Sequence, residues 1–240
     1  MSYPPMPGLD RRPLVIAHRG ASADAPENTL AAFRLALEHG ADGIEFDVHQ
    51  TADGALVVIH DDDLARTTDI RGAVRKVNLA DLKTADAGAW FGPAFVGEPV
   101  PTLEDVCAWL ASNDLLAFVE LKAPDIEDAV AKTLRAAGLA GRVQVRSFDH
   151  AALQRFYAVA PEIPISELWY TRIPGAGEHT FPTINGLFAL YDAETIAALH
   201  ARGVAATAWT VNDFEAAERL LAWGIDAITT DHPAETIARR

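Results

Sequence analysis

Nine short apolar runs punctuate this 240-residue chain, at 14–18, 44–48, 56–60, 116–121, 143–148, 163–168, 186–190, 204–211 and 227–231. Several are separated by stretches with apolar residues at helical spacing. TLAAFRLALEHG closes on Gly40, DIEDAVAKTLRAAG on Gly138, DAETIAALHARG on Gly203 and DFEAAERLLAWG on Gly224. Each opens on an acidic or hydroxyl residue able to accept from the free N–H groups of a helix start, and ends on a glycine where the chain can turn left-handed. Near-continuous apolar strands alternating with helices predict a parallel sheet covered by helices, and at this length a (β/α)8 TIM barrel. Nine runs compete for eight places, and the pattern leaves open which is extra.

Two stretches depart from a regular barrel. The link from Val48 to Val57 is too short for a covering helix, so it must be a bare loop or a hairpin. Residues 62–102 are rich in glycine, proline and turn signals and lack a strong helical period, which predicts a small insertion after the third strand, packed over one rim. The whole of 1–240 is expected to form a single barrel domain around it.

The second run breaks the apolar rule. In GIEFDV, Ile44, Phe46 and Val48 point one way while Glu45, Asp47 and His49 point the other. Residues two apart on one strand face lie about 7 Å from each other. Two carboxylates that close repel unless water or a cation separates them. Polar groups also fall at the ends of other runs: His18-Arg19-Gly20, His60-Asp61, Glu120 and Lys122, Ser147-Phe148, Trp209 to Asn212, and Thr230-Asp231. Carboxyl ends of barrel strands converge on one mouth, so together they point to an active site, with Glu45 and Asp47 sharing a cation.

Composition narrows the partners. A net charge of −14 argues against nucleic-acid or anionic-membrane binding, so an anionic substrate must be held by a local cationic site. Cys107 is the only cysteine, which excludes an internal disulfide and a cysteine-based metal cluster. No apolar stretch is long enough to span a bilayer, and the N-terminus lacks a signal-peptide pattern, so a soluble cytoplasmic protein is expected.

At the level of motifs, AHRGASADAPENTLAAF, GIEFDVHQTADGALVVIHDDDLARTT, DAGAWFGPAFVGEPVPTLEDV, FVELK, VRSFD, AWTVND and GIDAITTDHP follow one another between Val15 and Pro233. In this order they resemble the glycerophosphodiester phosphodiesterases. The resemblance implies a (β/α)8 barrel that uses a divalent metal to hydrolyse substrates such as glycerophosphocholine or glycerophosphoethanolamine to an alcohol and glycerol 3-phosphate. A related diesterase acting on lysophospholipid or inositol-containing diesters is the alternative. The match weakens over residues 169–192, where the alcohol-side pocket is expected.

The residue types suit that chemistry. A phosphodiester anion repels nucleophiles and has a poor alkoxide leaving group, so the site needs cationic clamps and a proton donor. Glu45, Asp47 and Glu120 offer hard oxygen ligands suited to Mg²⁺ or Ca²⁺. Arg19 can grip a phosphate oxygen and Lys122 can add a point charge. His18 and His60, at the ends of different runs, are read as base and acid, with Asp231 orienting His18 and Asp61 steadying a neighbour. Trp209 could wall the glycerol carbons, Asn28 could cap the first helix, and Glu27 could brace the site. Trp90 and Phe91 are read as a lid or as packing within the insertion. His49 is a weak candidate ligand, expected beyond its strand's end. His39, His150, His179, His200 and His232 are read as non-catalytic.

Overall fold

A computed structural model of the chain describes residues 4–10, 13–175, 177–178 and 181–240; His179 lies outside these. The strands are β1 (Leu14–His18), β2 (Gly43–Gln50), β3 (Leu56–Val58), β4 (Leu116–Leu121), β5 (Val143–Ser147), β6 (Ile165–Trp169), β7 (Thr183–Leu187), β8 (Ala205–Trp209) and β9 (Ala227–Thr230). The helices are α1 (Leu30–Glu38), α2 (Leu79–Leu82), α3 (Leu103–Ala111), α4 (Glu127–Ala136), α5 (His150–Val159), α6 (Ala193–His200), α7 (Phe214–Ala222) and α8 (Pro233–Ile237). All strands but β3 pair in parallel, and β1 closes the ring by bonding both β9 and β2. The result is the expected (β/α)8 barrel. Among the described residues, no helix is long and apolar enough to cross a membrane.

The helices form where the pattern places them, and their ends are chemically explicit. Thr29, Asp192 and Asp213 each accept from backbone N–H groups of the first turns of α1, α6 and α7. The helix α4 differs: its cap is Ile126 with no side-chain hydrogen bond, so Asp125 does not serve there. Gly40, Gly138, Gly203 and Gly224 all have positive φ, and the residue after each donates to a carbonyl five back, as Ala41 does to Ala36 at 3.0 Å. Exchanging Asp213 for Ala should cost about 0.5–2 kcal/mol, the usual loss for a helix cap, read as a lowered urea midpoint at unchanged slope.

The extra run is β3. It pairs antiparallel with β2 in the register Val48↔Val58, His49↔Val57 and Gln50↔Leu56, so the short link is a hairpin. The strand stops at Val58, two residues before His60, and the Ile59 N–H returns to the Asp47 carbonyl at 3.1 Å. His60 therefore reaches the mouth because a hairpin overshoots the rim and comes back, not because it ends a barrel strand. His49 lies within β2, not beyond it, and its Nε2 rests on the His60 carbonyl at 3.1 Å. The run read at 186–190 is β7 at Thr183–Leu187, followed by a 3-10 turn at Phe188–Leu190. The buried Tyr191 hydroxyl ties the following turn back to the sheet: it accepts from the Gly186 N–H at 3.1 Å and donates to the Thr207 carbonyl at 2.9 Å.

Between β3 and α3 the chain builds a small apolar cluster of its own, in which Leu64, Val74, Leu82 and Val100 pack on Val57 and Ile59. Trp90 packs edge-on against Phe91, which packs in turn on Phe95. Trp90 and Phe91 thus pack within the insertion, and neither is among the residues that line the cavity at the barrel mouth.

Candidate active site

Alternation in β2 settles what the two acids face. Ile44, Phe46 and Val48 join the core beneath the helices, while Glu45 and Asp47 point into the barrel. Strand register then sets their neighbours: His18 lies opposite Glu45, Asp47 opposite Glu120, and Glu120 opposite Arg146. Oxygens of Glu45, Asp47 and Glu120 come within 4.8 Å of one another, and all three residues are buried. Burial, with the like charges of Asp47 and Glu45, pushes the Glu120 carboxyl up to about 7 despite Lys122 beside it. Glu45 is likewise raised, first by burial and then by Asp47. Asp47 is lowered: burial opposes this, but the charges of Arg19, His60 and Lys122 and a bond from Asn28 prevail.

The turn after β1 brings the first cationic group. Gly20 has φ +84°, and a Cβ there would lie 2.6 Å from that of Ala32, so only glycine fits. Arg19 and Asn28 also sit at positive φ, 56° and 59°, a conformation that side-chain-bearing residues rarely adopt outside constrained sites. The Arg19 N–H donates to Glu45 at 3.2 Å, its Nη1 to Glu27 at 2.9 Å, and its Nε lies 3.3 Å from Asp47. Asn28 is not the helix cap, a place that Thr29 takes. Asn28 instead donates from Nδ2 to Asp47 at 2.9 Å and accepts the Asp47 N–H at 3.3 Å.

Each histidine has a carboxylate behind it. His18 Nδ1 lies 2.6 Å from Asp231, which also accepts from Ser22 at 2.9 Å and Asn212 at 2.5 Å. Burial by itself would lower the His18 pKa, but the Asp231 bond and the Glu45 charge raise it above its ordinary value. Asp231 is brought down to about 2: burial opposes this, and the bonds from His18, Asn212 and Ser22 together with the His18 charge overcome it. His60 Nδ1 lies 2.6 Å from Asp61, and its Nε2 is 3.2 Å from Lys122 Nζ. An ammonium can only donate, so Nε2 there is an acceptor and the Nδ1–H is the tautomer facing Asp61. The His60 pKa is lowered, chiefly by burial. Lys122 also donates to Glu120 at 3.0 Å.

His18, Arg19, Glu45, His60, Glu120, Lys122 and Trp209 line one cavity of about 80 Å³, and the Asp47 carboxylate lies within 4.8 Å of those of Glu45 and Glu120. Every site residue expected from the sequence is thus brought together. Trp209 donates to the Asn185 carbonyl at 3.1 Å and carries Phe148 edge-on at 5.4 Å and Tyr170 at 6.0 Å. The sequence reading missed Arg146, which is buried, lines the cavity, and stacks over the Phe118 ring at 4.6 Å. Burial drops its pKa to about 10, while the charges of Glu45, Glu120 and Asp47 oppose the fall. The signal was present: Gln144 and Arg146 alternate in β5 as Glu45 and Asp47 do in β2.

Comparisons with known proteins place the chain in a family. The model of the glycerophosphoryl diester phosphodiesterase family matches residues 18–235. A glycerophosphodiester phosphodiesterase of Caldanaerobacter subterraneus subsp. tengcongensis is 38% identical over 237 residues, covering 93% of this chain and 96% of that protein. One from Bacillus altitudinis is 35% identical over 242 residues, covering 94% and 97%. Among solved structures, an Oleispira antarctica phosphodiesterase in complex with the product sn-glycerol-3-phosphate superposes with a TM-score of 0.87 at 32% identity, covering 95% of this chain and 96% of that one. A glycerophosphodiester phosphodiesterase from Agrobacterium tumefaciens gives 0.83 at 32% identity, covering 94% and 99%. A family match across residues 18–235, with relatives 35–38% identical over nearly the whole chain, establishes that this protein belongs to the glycerophosphoryl diester phosphodiesterase family and is a phosphoric diester hydrolase.

Proposed function

We propose that the protein hydrolyses glycerophosphodiesters, such as glycerophosphocholine or glycerophosphoethanolamine, to the free alcohol and glycerol 3-phosphate. The observation that carries this reading is the placement of two carboxylate-backed histidines in one small cavity with three buried acids, Arg19 and Lys122. Three buried carboxylates in mutual reach are costly to ionise without a cation, and their all-oxygen set fits a hard divalent ion such as Mg²⁺ or Ca²⁺. When bound by Glu45, Asp47 and Glu120, such an ion supplies electrophilic stabilisation of the phosphoryl oxygens. Arg19 and Lys122 hold the remaining phosphate charge.

Protonation favours His60 as base and His18 as acid, the reverse of the order expected from the sequence. The Asp231 bond favours the protonated form of His18, and burial favours neutral His60. In the step we favour, His60 Nε2 takes the proton of the glycerol hydroxyl next to the phosphorylated carbon, once the substrate phosphate has drawn Lys122 away. That oxygen bonds to phosphorus, the bond from phosphorus to the alcohol oxygen breaks, and His18 protonates the departing oxygen. Water then opens the cyclic phosphate: His18 takes its proton and His60 returns one to the ring oxygen. Tethering favours this path, since effective molarities of oriented groups reach about 10⁵–10⁸ M. The Ser147 hydroxyl is turned away from this chemistry, donating to the Leu121 carbonyl at 3.1 Å.

Two tests follow from these assignments. A substrate analogue lacking the neighbouring hydroxyl should bind yet turn over far more slowly, and turnover at the parent rate would assign the attack to water. Asp231→Asn should move the basic limb of the kcat–pH profile to lower pH, because the acid form of His18 loses its partner.

The alternative reading, a diesterase for lysophospholipids, draws support from Phe148 and Tyr170, which are 45% and 61% exposed beside Trp209. A substrate panel decides between them. Glycerol 3-phosphate release from glycerophosphocholine and glycerophosphoethanolamine supports the first reading, and turnover of lysophospholipid alone supports the second.

A further inference from the structure

We propose that Arg66 is a positioning residue that fixes His60 and Arg19 relative to each other, working through Asp61 and Glu27. It rests on the reading of His60 as the proton acceptor and of Arg19 as a phosphate clamp. Arg66 lies in the segment after the β2–β3 hairpin. Its Nε and Nη2 donate to the two oxygens of Asp61 at 2.6 and 3.1 Å, and its Nη1 and Nη2 donate to the two oxygens of Glu27 at 2.7 and 2.8 Å. One guanidinium therefore grips two carboxylates at once, each in a two-point fork that an ammonium cannot reproduce.

Both carboxylates have a second task. The Asp61 oxygen that accepts from Arg66 Nη2 also takes His60 Nδ1 at 2.6 Å, and the Glu27 oxygen that accepts from the same nitrogen also takes Arg19 Nη1 at 2.9 Å. His60, Asp61, Arg66, Glu27 and Arg19 thus form one unbroken chain of contacts, joining the turn after β1 to the returning hairpin. The backbone around Arg66 is fixed independently. Leu64 is fully buried, its N–H bonds the Gly72 carbonyl at 3.0 Å, and the Thr68 hydroxyl closes on the Leu64 carbonyl at 2.7 Å. Arg66 itself is 44% exposed at its side chain, and exposed ion pairs contribute little to stability. Its consequence lies in geometry: an outer carboxylate sets a histidine's tautomer and ring orientation, and a misplacement of about 1 Å can cost 10²-fold in rate. Without Arg66, Asp61 and Glu27 would each be held by a single acting group and free to follow it.

The test is a double-mutant cycle on the full chain with a divalent cation present. Arg66→Met should lower kcat/KM by about 10–100-fold, the range seen when an outer partner of a site residue is removed. Asp61→Asn should lower kcat, and the double variant should be no worse than the more damaged single to within roughly twofold. Arg66→Lys should recover little, whereas millimolar guanidinium chloride should restore part of the Arg66→Met rate and leave wild type unchanged. One readout needs no turnover: the downfield proton resonance of His60 Nδ1–H, assigned by its loss in His60→Gln, should weaken in Arg66→Met at unchanged thermal midpoint. Losses that simply add in the double variant, kinetics like wild type, or an unaltered resonance would each overturn the proposal. If wild type cleaves no glycerophosphodiester, the functional reading fails and the resonance alone decides the role of Arg66.

Discussion

His18→Ala should lower kcat on glycerophosphocholine by about 10²–10⁴-fold, the usual contribution of a general acid, and should recover most of that rate on a nitrophenyl diester. The reason is the leaving group. An alkoxide must be protonated as it departs, and on the proposed assignment His18, held by Asp231 at 2.6 Å with its pKa raised, supplies that proton. A nitrophenolate leaves without that help. His60→Ala should fall by a similar factor on both substrates, because the attacking hydroxyl still has to lose its proton. Rescue of His60→Ala instead of His18→Ala would exchange the two roles. Near-wild-type rates in both variants would remove the histidines from the mechanism.

Asp47→Asn should have an effect of comparable size by a different route. Asp47 is the most buried of the three acids, shares a strand face with Glu45, lies opposite Glu120, and is within reach of Arg19 and Lys122. Removing its charge should raise the Mg²⁺ concentration for half-maximal activity by at least about tenfold and lower kcat at saturation. The same prediction can be read without turnover. A cation that binds only the folded chain stabilises it by about 2.7 kcal/mol at 100 times its Kd, so Mg²⁺ should raise the wild-type thermal midpoint and leave Asp47→Asn nearly unmoved. Because the Glu120 carboxyl is pushed up to about 7, protons compete with the cation, and Mg²⁺ affinity should weaken as pH falls through 7. Affinity that is flat from pH 8 to 5.5 would contradict a raised Glu120 among the ligands.

Much of this site was legible because strand periodicity is unforgiving. An acid every second residue in β2 has to face either solvent or the barrel interior, and the polar ends of the other strands showed which. The helix ends were legible for an equally local reason: a glycine at positive φ stops a helix wherever it falls. What escaped depended on contacts distant in sequence. Asn28 reads as a cap locally, and only the fold shows that Asp47 claims its amide while Thr29 caps. The Arg66 pairing with Glu27 spans 39 residues and has no local signature. His60 looked like a strand end because 56–60 is uniformly apolar up to it, whereas the hairpin leaves the ladder at Val58. The strand β7 was displaced because the apolar run at 186–190 outweighed Thr183 and Asn185, whose polar side chains are buried. Arg146 was legible by the same rule, since Gln144 and Arg146 alternate in β5 as Glu45 and Asp47 do in β2.

The most direct measurement is glycerophosphocholine hydrolysis by metal-stripped protein, followed by ³¹P NMR before and after adding back a divalent cation. No turnover is expected after EDTA treatment and removal of the chelator. On addition of Mg²⁺ or Ca²⁺, glycerol 3-phosphate should appear as the final phosphorus species, with choline released in equal amount. Full turnover by the stripped protein, or a phosphorus product other than glycerol 3-phosphate or its cyclic precursor, would contradict it.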